Sequence, residues 1–124
     1  MFRTTDAFSG FAVDDLDAAR TFYGDTLRLT VEDNAMGFLT LRLGSGAAIF
    51  VYAKDDHVPA TFTILNFPVP DIDAAVDDLN ARGVDTRIYP DVGDEKGIVR
   101  GGENGPDIAW FRDPAGNVLA VLHA

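Results

Sequence analysis

The chain has 124 residues, 47% of them hydrophobic, which is enough apolar material for one buried core and too little for two independent ones. Twenty Asp and Glu against ten Lys and Arg leave a formal charge of -10, a field that repels nucleic-acid phosphates and anionic membranes alike. The absence of cysteine removes disulfides, thiolate metal sites and cysteine nucleophiles, and the longest apolar run, 47 to 53, is too short to span a bilayer. The N-terminus carries one basic residue and no signal-like apolar stretch, so the expectation is a cytoplasmic chain forming a single domain over 1–124, with neither nucleic acid nor membrane as partner.

The first segment, FSGFAVDDLDAA at 8 to 19, alternates apolar residues as a strand does and then turns helical. Asp15 is placed to cap the helix and Asp17 to complement its dipole. The helix runs from about Asp15 to Thr26, with Leu16, Ala19, Phe22 and Tyr23 on its apolar stripe. GFLTLRLG at 37 to 44 and GAAIFVY at 46 to 52 read as further strands, and KDDHVP is a polar turn.

The pattern then starts again. ILNFPVPDIDAA at 64 to 75 overlays the first segment with a shift of 56 residues: Phe11 on Phe67, Val13 on Val69, Asp15 on Asp71, Leu16 on Ile72. A second helix runs from Asp71 to Arg82 with Ile72, Ala75, Val76 and Leu79 inward, and Gly83 is a natural stop. GNVLAVL at 116 to 122 overlays GAAIFVY with a shift of 70, each preceded by another apolar segment. Each half therefore holds a strand, a helix and about three more strands, as repeat modules of about 5–56 and 60–124. The change of shift puts about fourteen extra residues in the second half, and DVGDEKGIVRGGENGP at 91–106 is read as a mobile hairpin loop with the potential to act as a lid. Its glycines lack the Lys-Ser/Thr of a phosphate-binding loop.

Two such modules predict an α+β fold with both helices on one face of the sheet and a cleft on the other. Alternation sorts the strands: Leu39, Leu41, Leu43, Ile49, Val51, Leu65, Phe67, Leu119 and Val121 pack under the helices. The opposite parity, which includes Phe8, Phe38, Thr40, Arg42, Phe50, Tyr52, Phe62, Ile64, Asn66, Trp110 and Ala120, then lines an aromatic cleft.

VDDLDAARTFYGDTLRL, VPDIDAAVDDLNARGV and WFRDPAGNVLAVL, in this order, resemble the vicinal oxygen chelate superfamily, which includes glyoxalase I, extradiol dioxygenases and bleomycin-resistance proteins. The resemblance covers essentially the whole chain. It implies paired βαβββ modules forming an incompletely closed eight-stranded barrel with helices on the outer face, commonly as a homodimer. It also implies a divalent metal held from equivalent strands of both modules, and here the chain departs from the pattern. The ligand positions fall on Phe8, Ile64, Phe50 and Ala120, none of which has a lone pair to give. His57, in the linking turn, reads as a solvated loop residue and His123 as a fraying C-terminal one. No metal and no cofactor are expected.

The remaining polar groups allow two functional readings. Arg42, aligned with Arg112, can receive a carboxylate or phosphate; Tyr52 can orient a carbonyl or act as a general acid; Asn66 can hydrogen-bond a ligand. In the first reading the chain is a metal-independent small-molecule binding protein using Phe8, Arg42, Phe50, Tyr52, Phe62, Ile64, Asn66, Trp110 and Ala120, with drug or toxin sequestration as its concrete form. In the second it is an enzyme of the same superfamily, a lyase, isomerase or dioxygenase, with Tyr52 and Arg42 as the catalytic candidates. A third class, a domain whose interaction surface matters more than its cleft, also stays open.

Overall fold

The computed structural model describes residues 1–123, and the chain divides into two compact units, the first ending at Val58 and the second beginning at Pro59. The boundary lies between the two repeat modules.

The first unit contains β1 (Ser9–Val13), α1 (Leu16–Arg20), β2 (Thr30–Asp33), β3 (Leu39–Arg42) and β4 (Ala48–Ala53). Its sheet has the order β1-β4-β3-β2, with β1 parallel to β4 and the other pairs antiparallel. Asp15 caps α1 as expected, one carboxylate oxygen accepting the N–H groups of Asp17 at 2.9 Å and Ala18 at 3.1 Å. The helix widens over Thr21–Thr26 into π geometry, where the Leu27 N–H reaches the Phe22 carbonyl five residues back. Arg28, left-handed at φ 63°, then turns the chain toward β2. Ala19 and Tyr23 bury themselves with Val13, Leu39, Leu41 and Val51 as the unit's core.

The second unit contains β5 (Thr63–Pro68), α2 (Ile72–Ala81), β6 (Asp107–Arg112) and β7 (Val118–His123), with sheet order β5-β7-β6. Asp71 caps α2 through the Ala74 N–H at 3.1 Å. Gly83, at φ 83°, stops it: the Gly83 N–H bonds the Asn80 carbonyl and the Val84 N–H the Leu79 carbonyl. Ile72, Val76 and Leu79 are buried with Ala109, Phe111, Leu119 and Val121. The Asp-Pro-x-Gly-Asn turn is tied by buried side chains, Asp113 accepting both the backbone N–H of Asn117 at 2.9 Å and its Nδ2 at 3.1 Å.

The two sequence shifts are strand registers. Phe11 pairs with Val51 in the parallel ladder of the first unit, and Phe67 pairs with Val121 in that of the second. Leu39 faces Val51 across the antiparallel ladder as Ala109 faces Val121. Leu43, Ile49, Leu65 and Phe67 are on the expected parity but only partly buried, because they lie toward strand ends or sheet edges.

The strand count differs from the expected eight. The fold is α+β with sheets of four and three strands, seven among the described residues, and neither sheet closes on itself. Among the described residues the second unit has no counterpart to β2. Between α2 and β6 the chain contributes isolated bridges only, Arg87 to Trp110 and Val99 to Ile108. Its polar groups are satisfied locally instead: the Thr86 hydroxyl donates to the Lys96 carbonyl at 2.8 Å, and Asp94 accepts the N–H groups of Lys96 at 2.9 Å and Ile98 at 3.0 Å.

The 91–106 segment, read as a mobile loop, is strapped to its own unit. Ile98 is 1% exposed. Arg100 donates to both Asp73 oxygens at 3.1 and 2.9 Å, and Lys96 lies 2.9 Å from Asp77. The Arg100 hydrogen bonds hold the Asp73 carboxyl below the usual carboxylate range, and Asp73 in turn raises the Arg100 guanidinium. Burial pushes Asp94 up, but the N–H groups of Ile98 and Lys96 together with Arg100 outweigh it, leaving Asp94 lowered.

Candidate functional site

Opposite its helix, the first unit presents a sheet face ordered by the ladders. Gly10, Phe50, Thr40 and Glu32 are successive cross-strand partners, and Ala48, Arg42 and Thr30 form the next row. Phe8, one residue before β1, lays its ring against that of Phe50 with centroids 4.4 Å apart and planes at 37°. Gly10 leaves space beside this pair, since a Cβ there would stand 3.2 Å from the Phe50 carbonyl oxygen. Phe38 and Tyr52 make a second, edge-on pair at 6.2 Å. Phe8 is 62% exposed, which is unusual for a large apolar ring. Phe8, Thr40, Arg42, Ala48 and Phe50 line a recess of about 750 Å³.

Polar groups on this wall come from β2, β3 and the turn between them. The Arg42 Nε donates to Glu32 at 3.0 Å, so part of the fork expected to receive an anion is already engaged by a carboxylate. Thr40 is 5% exposed. Asn34 also lines the recess; its side-chain oxygen accepts the N–H groups of Met36 at 3.0 Å and Phe38 at 3.1 Å, leaving its buried Nδ2 without an acceptor. Sequence reading missed Asn34, although Asn three residues before Gly37 is a turn signature that places it beside the strands.

The second unit's expected residues are on their own sheet. Asn66 and Phe62 are exposed, while Ile64 is partly buried beside an irregularity in the β5–β7 pairing. Trp110 is partly buried with its ring edge-on to Tyr89 at 5.7 Å, and Arg112 stands over the same tyrosine at 5.9 Å, so the aligned arginines have different partners. Ala120 is fully buried and has no surface to offer a ligand in this structure. A recess of about 420 Å³, unforeseen from sequence, lies among Asn80, Thr86, Arg87 and Glu95.

The donor set does not fit the divalent metal that the family resemblance implies. In the first unit the two positions hold the tilted pair of Phe8 and Phe50 rings; in the second they hold Ile64 and Ala120. Among the described residues no group of three or more His, Cys, Asp or Glu is arranged to hold a metal ion. The histidines do not supply one. His57 sits partly buried in the linking turn, its N–H on the Lys54 carbonyl. His123 is not frayed: it closes β7 opposite Asp107, and its Nδ1 lies 2.9 Å from the Val69 carbonyl oxygen.

With paired repeats, caps and ladders in place, comparison with known proteins defines the class. The chain belongs to the Glyoxalase/Bleomycin resistance protein/Dioxygenase superfamily, whose family model matches residues 6–121. Among solved structures it is similar to a glyoxalase family protein from Enterococcus faecalis, with 21% identity and a TM-score of 0.70 over 98% of this chain and 99% of that one. It is also similar to a superfamily member from Sphaerobacter thermophilus, at 24% identity and TM-score 0.68 over 95% and 97% of the two chains. A third is the fosfomycin resistance protein FosX from Listeria monocytogenes, at 12% identity and TM-score 0.74 over 99% and 95%. At these identities the likeness is one of fold. The chain matches no curated protein sequence. No helix among the described residues is long and apolar enough to cross a membrane.

Proposed function

We propose that this protein is a metal-independent small-molecule binder, and that its ligand is a flat, largely apolar compound seated on the first unit's sheet face. The observation that carries this reading is the exposed Phe8 ring tilted against Phe50 at a centroid distance of 4.4 Å in a recess of about 750 Å³. A folded chain gains nothing from leaving such a ring in water, whereas a planar ligand covering it removes apolar surface from solvent. The formal charge of -10 disfavours an anionic ligand.

Sequestration of a toxic compound is the physiological form of this reading. The similarity to a fosfomycin resistance protein is compatible with it, but at 12% identity it supports only the fold. The enzymatic alternative has less support. Tyr52 is exposed and set against Phe38, and among the described residues no hydrogen bond to a neighbouring base prepares it for proton transfer. A homodimer, common in the superfamily, is part of the proposal, and native mass spectrometry of untagged protein gives twice the chain mass if it holds and the single mass if it does not.

The test of function is thermal unfolding of chelator-treated protein against a panel of planar aromatic compounds. Binding predicts saturable, concentration-dependent stabilisation with the compound recovered unchanged. Stabilisation by none of them, or conversion of a compound to product, contradicts the proposal.

A further inference from the structure

We infer that the ligand carries an uncharged hydrogen-bond acceptor, of the carbonyl class, on the edge that faces β3. This rests on the reading that the recess binds a flat molecule, and it adds what that molecule must look like. The Phe8 and Phe50 rings themselves have no polar group to offer, although Asp6 and Ser9 also line the recess near Phe8. The opposite side is built from hydrogen-bonding groups whose capacity is not used within the chain. Thr40 is the cross-strand neighbour of Phe50, points to the same face and is only 5% exposed, yet its hydroxyl has no hydrogen-bond partner among the described residues. The hydroxyl itself still meets solvent, so its bonding capacity is open to a ligand. Arg42, one row away, bonds Glu32 through Nε and has no other partner among the described residues, so guanidinium N–H groups remain.

Asn34 sharpens the sign of the missing partner. Two backbone N–H groups fix which end of its amide is oxygen, so the unpaired Nδ2, enclosed behind the recess lining, is a donor by necessity. Donors on Asn34 and Arg42, with a hydroxyl between two strands that can also donate, call for an acceptor. A carboxylate or phosphate is the wrong acceptor here. Glu32 already offsets the Arg42 charge, and its carboxylate together with the overall charge of -10 repels an anion. The sequence-based expectation that Arg42 receives an anion is therefore replaced by a neutral carbonyl beside a flat apolar body.

The test uses three probes of one shape: fluorene, fluorenone, which adds a single carbonyl oxygen, and a fluorenone carboxylate. Titration of the wild-type chain should give fluorenone about tenfold tighter than fluorene, with the carboxylate weaker than fluorenone. Thr40→Val keeps the β-branched shape and removes the hydroxyl, and should reduce the ratio of fluorenone to fluorene affinity severalfold. Equal affinity for fluorene and fluorenone in the wild type, or a Thr40→Val change that weakens both alike, overturns the acceptor assignment and leaves the binding site standing. Tightest binding of the carboxylate overturns the neutral-ligand assignment. Failure of all three probes to bind removes the recess as a site for flat ligands and this inference with it.

Discussion

Phe8 and Phe50 stand ring to ring at 4.4 Å, on the two first-unit positions where the superfamily resemblance would place metal ligands. A ring pair and a metal site cannot share those positions. The functional reading depends on this ring pair.

Replacing Phe8 separates binding from stability. Because the ring is largely exposed, Phe8→Ala should change unfolding free energy by less than about 0.5 kcal/mol while weakening a planar ligand by about 1 kcal/mol, or about fivefold. Phe50→Ala, truncating a partly buried ring, should cost about 2 kcal/mol of stability as well as affinity. Urea unfolding and ligand titration of the same samples check both. Stable variants with unchanged affinity place the ligand elsewhere.

The strap over α2 makes a steric prediction. Gly97 is left-handed at φ 84°, and a Cβ there would overlap the Thr86 carbonyl oxygen. Gly97→Ala should destabilise by more than about 2 kcal/mol. Gly37 has a similar φ, and a Cβ there would meet nothing within 4 Å, so Gly37→Ala should cost only the conformational strain, about 1 kcal/mol. Denaturant midpoints compare the two directly.

The ion pairs of the strap set an acid limit. Asp73 and Asp94 both titrate below the ordinary carboxylate value, so their contribution is complete above about pH 4 and is lost as the pH falls through their lower folded values. Protection of the Ile98 and Gly101 amides, taken relative to the intrinsic exchange rate at each pH, should fall below about pH 4, and Asp73→Asn should lower that protection already at neutral pH. An exchange profile indifferent to Asp73 would show that the pair does not hold the segment.

Asp113 should matter more than its place in a turn suggests. It is buried and accepts from both the backbone and side chain of Asn117, so Asp113→Ala leaves enclosed donors without a partner and should cost about 2 to 3 kcal/mol. Thermal unfolding checks this; a loss below about 0.5 kcal/mol means that water replaces the carboxylate.

Much of the fold was legible because duplication writes it twice. The shifts of 56 and 70 become the pairings Phe11 with Val51 and Phe67 with Val121, and the Asp15 and Asp71 caps follow from position alone. The missing strand of the second unit was not legible, because its segment satisfies its polar groups with Asp94 and Thr86 rather than a ladder, and neither residue signals that by periodicity. The π turn at Thr21–Thr26 keeps the apolar stripe of an ordinary helix and so leaves no mark in the pattern. In the site, Phe8 and Phe50 followed from strand parity, whereas Asn34 did not, because it belongs to a turn and its role depends on a hydrogen bond it lacks.

Metal-independent binding on the Phe8–Phe50 face is tested most directly by equilibrium titration of fluorenone into chelator-treated protein, repeated after adding Ni, Zn, Fe or Mn. The prediction is saturable binding without metal, the same affinity after each addition, and a loss of about fivefold or more in Phe8→Ala. Binding that disappears on chelation and returns with one stoichiometric metal ion would contradict it.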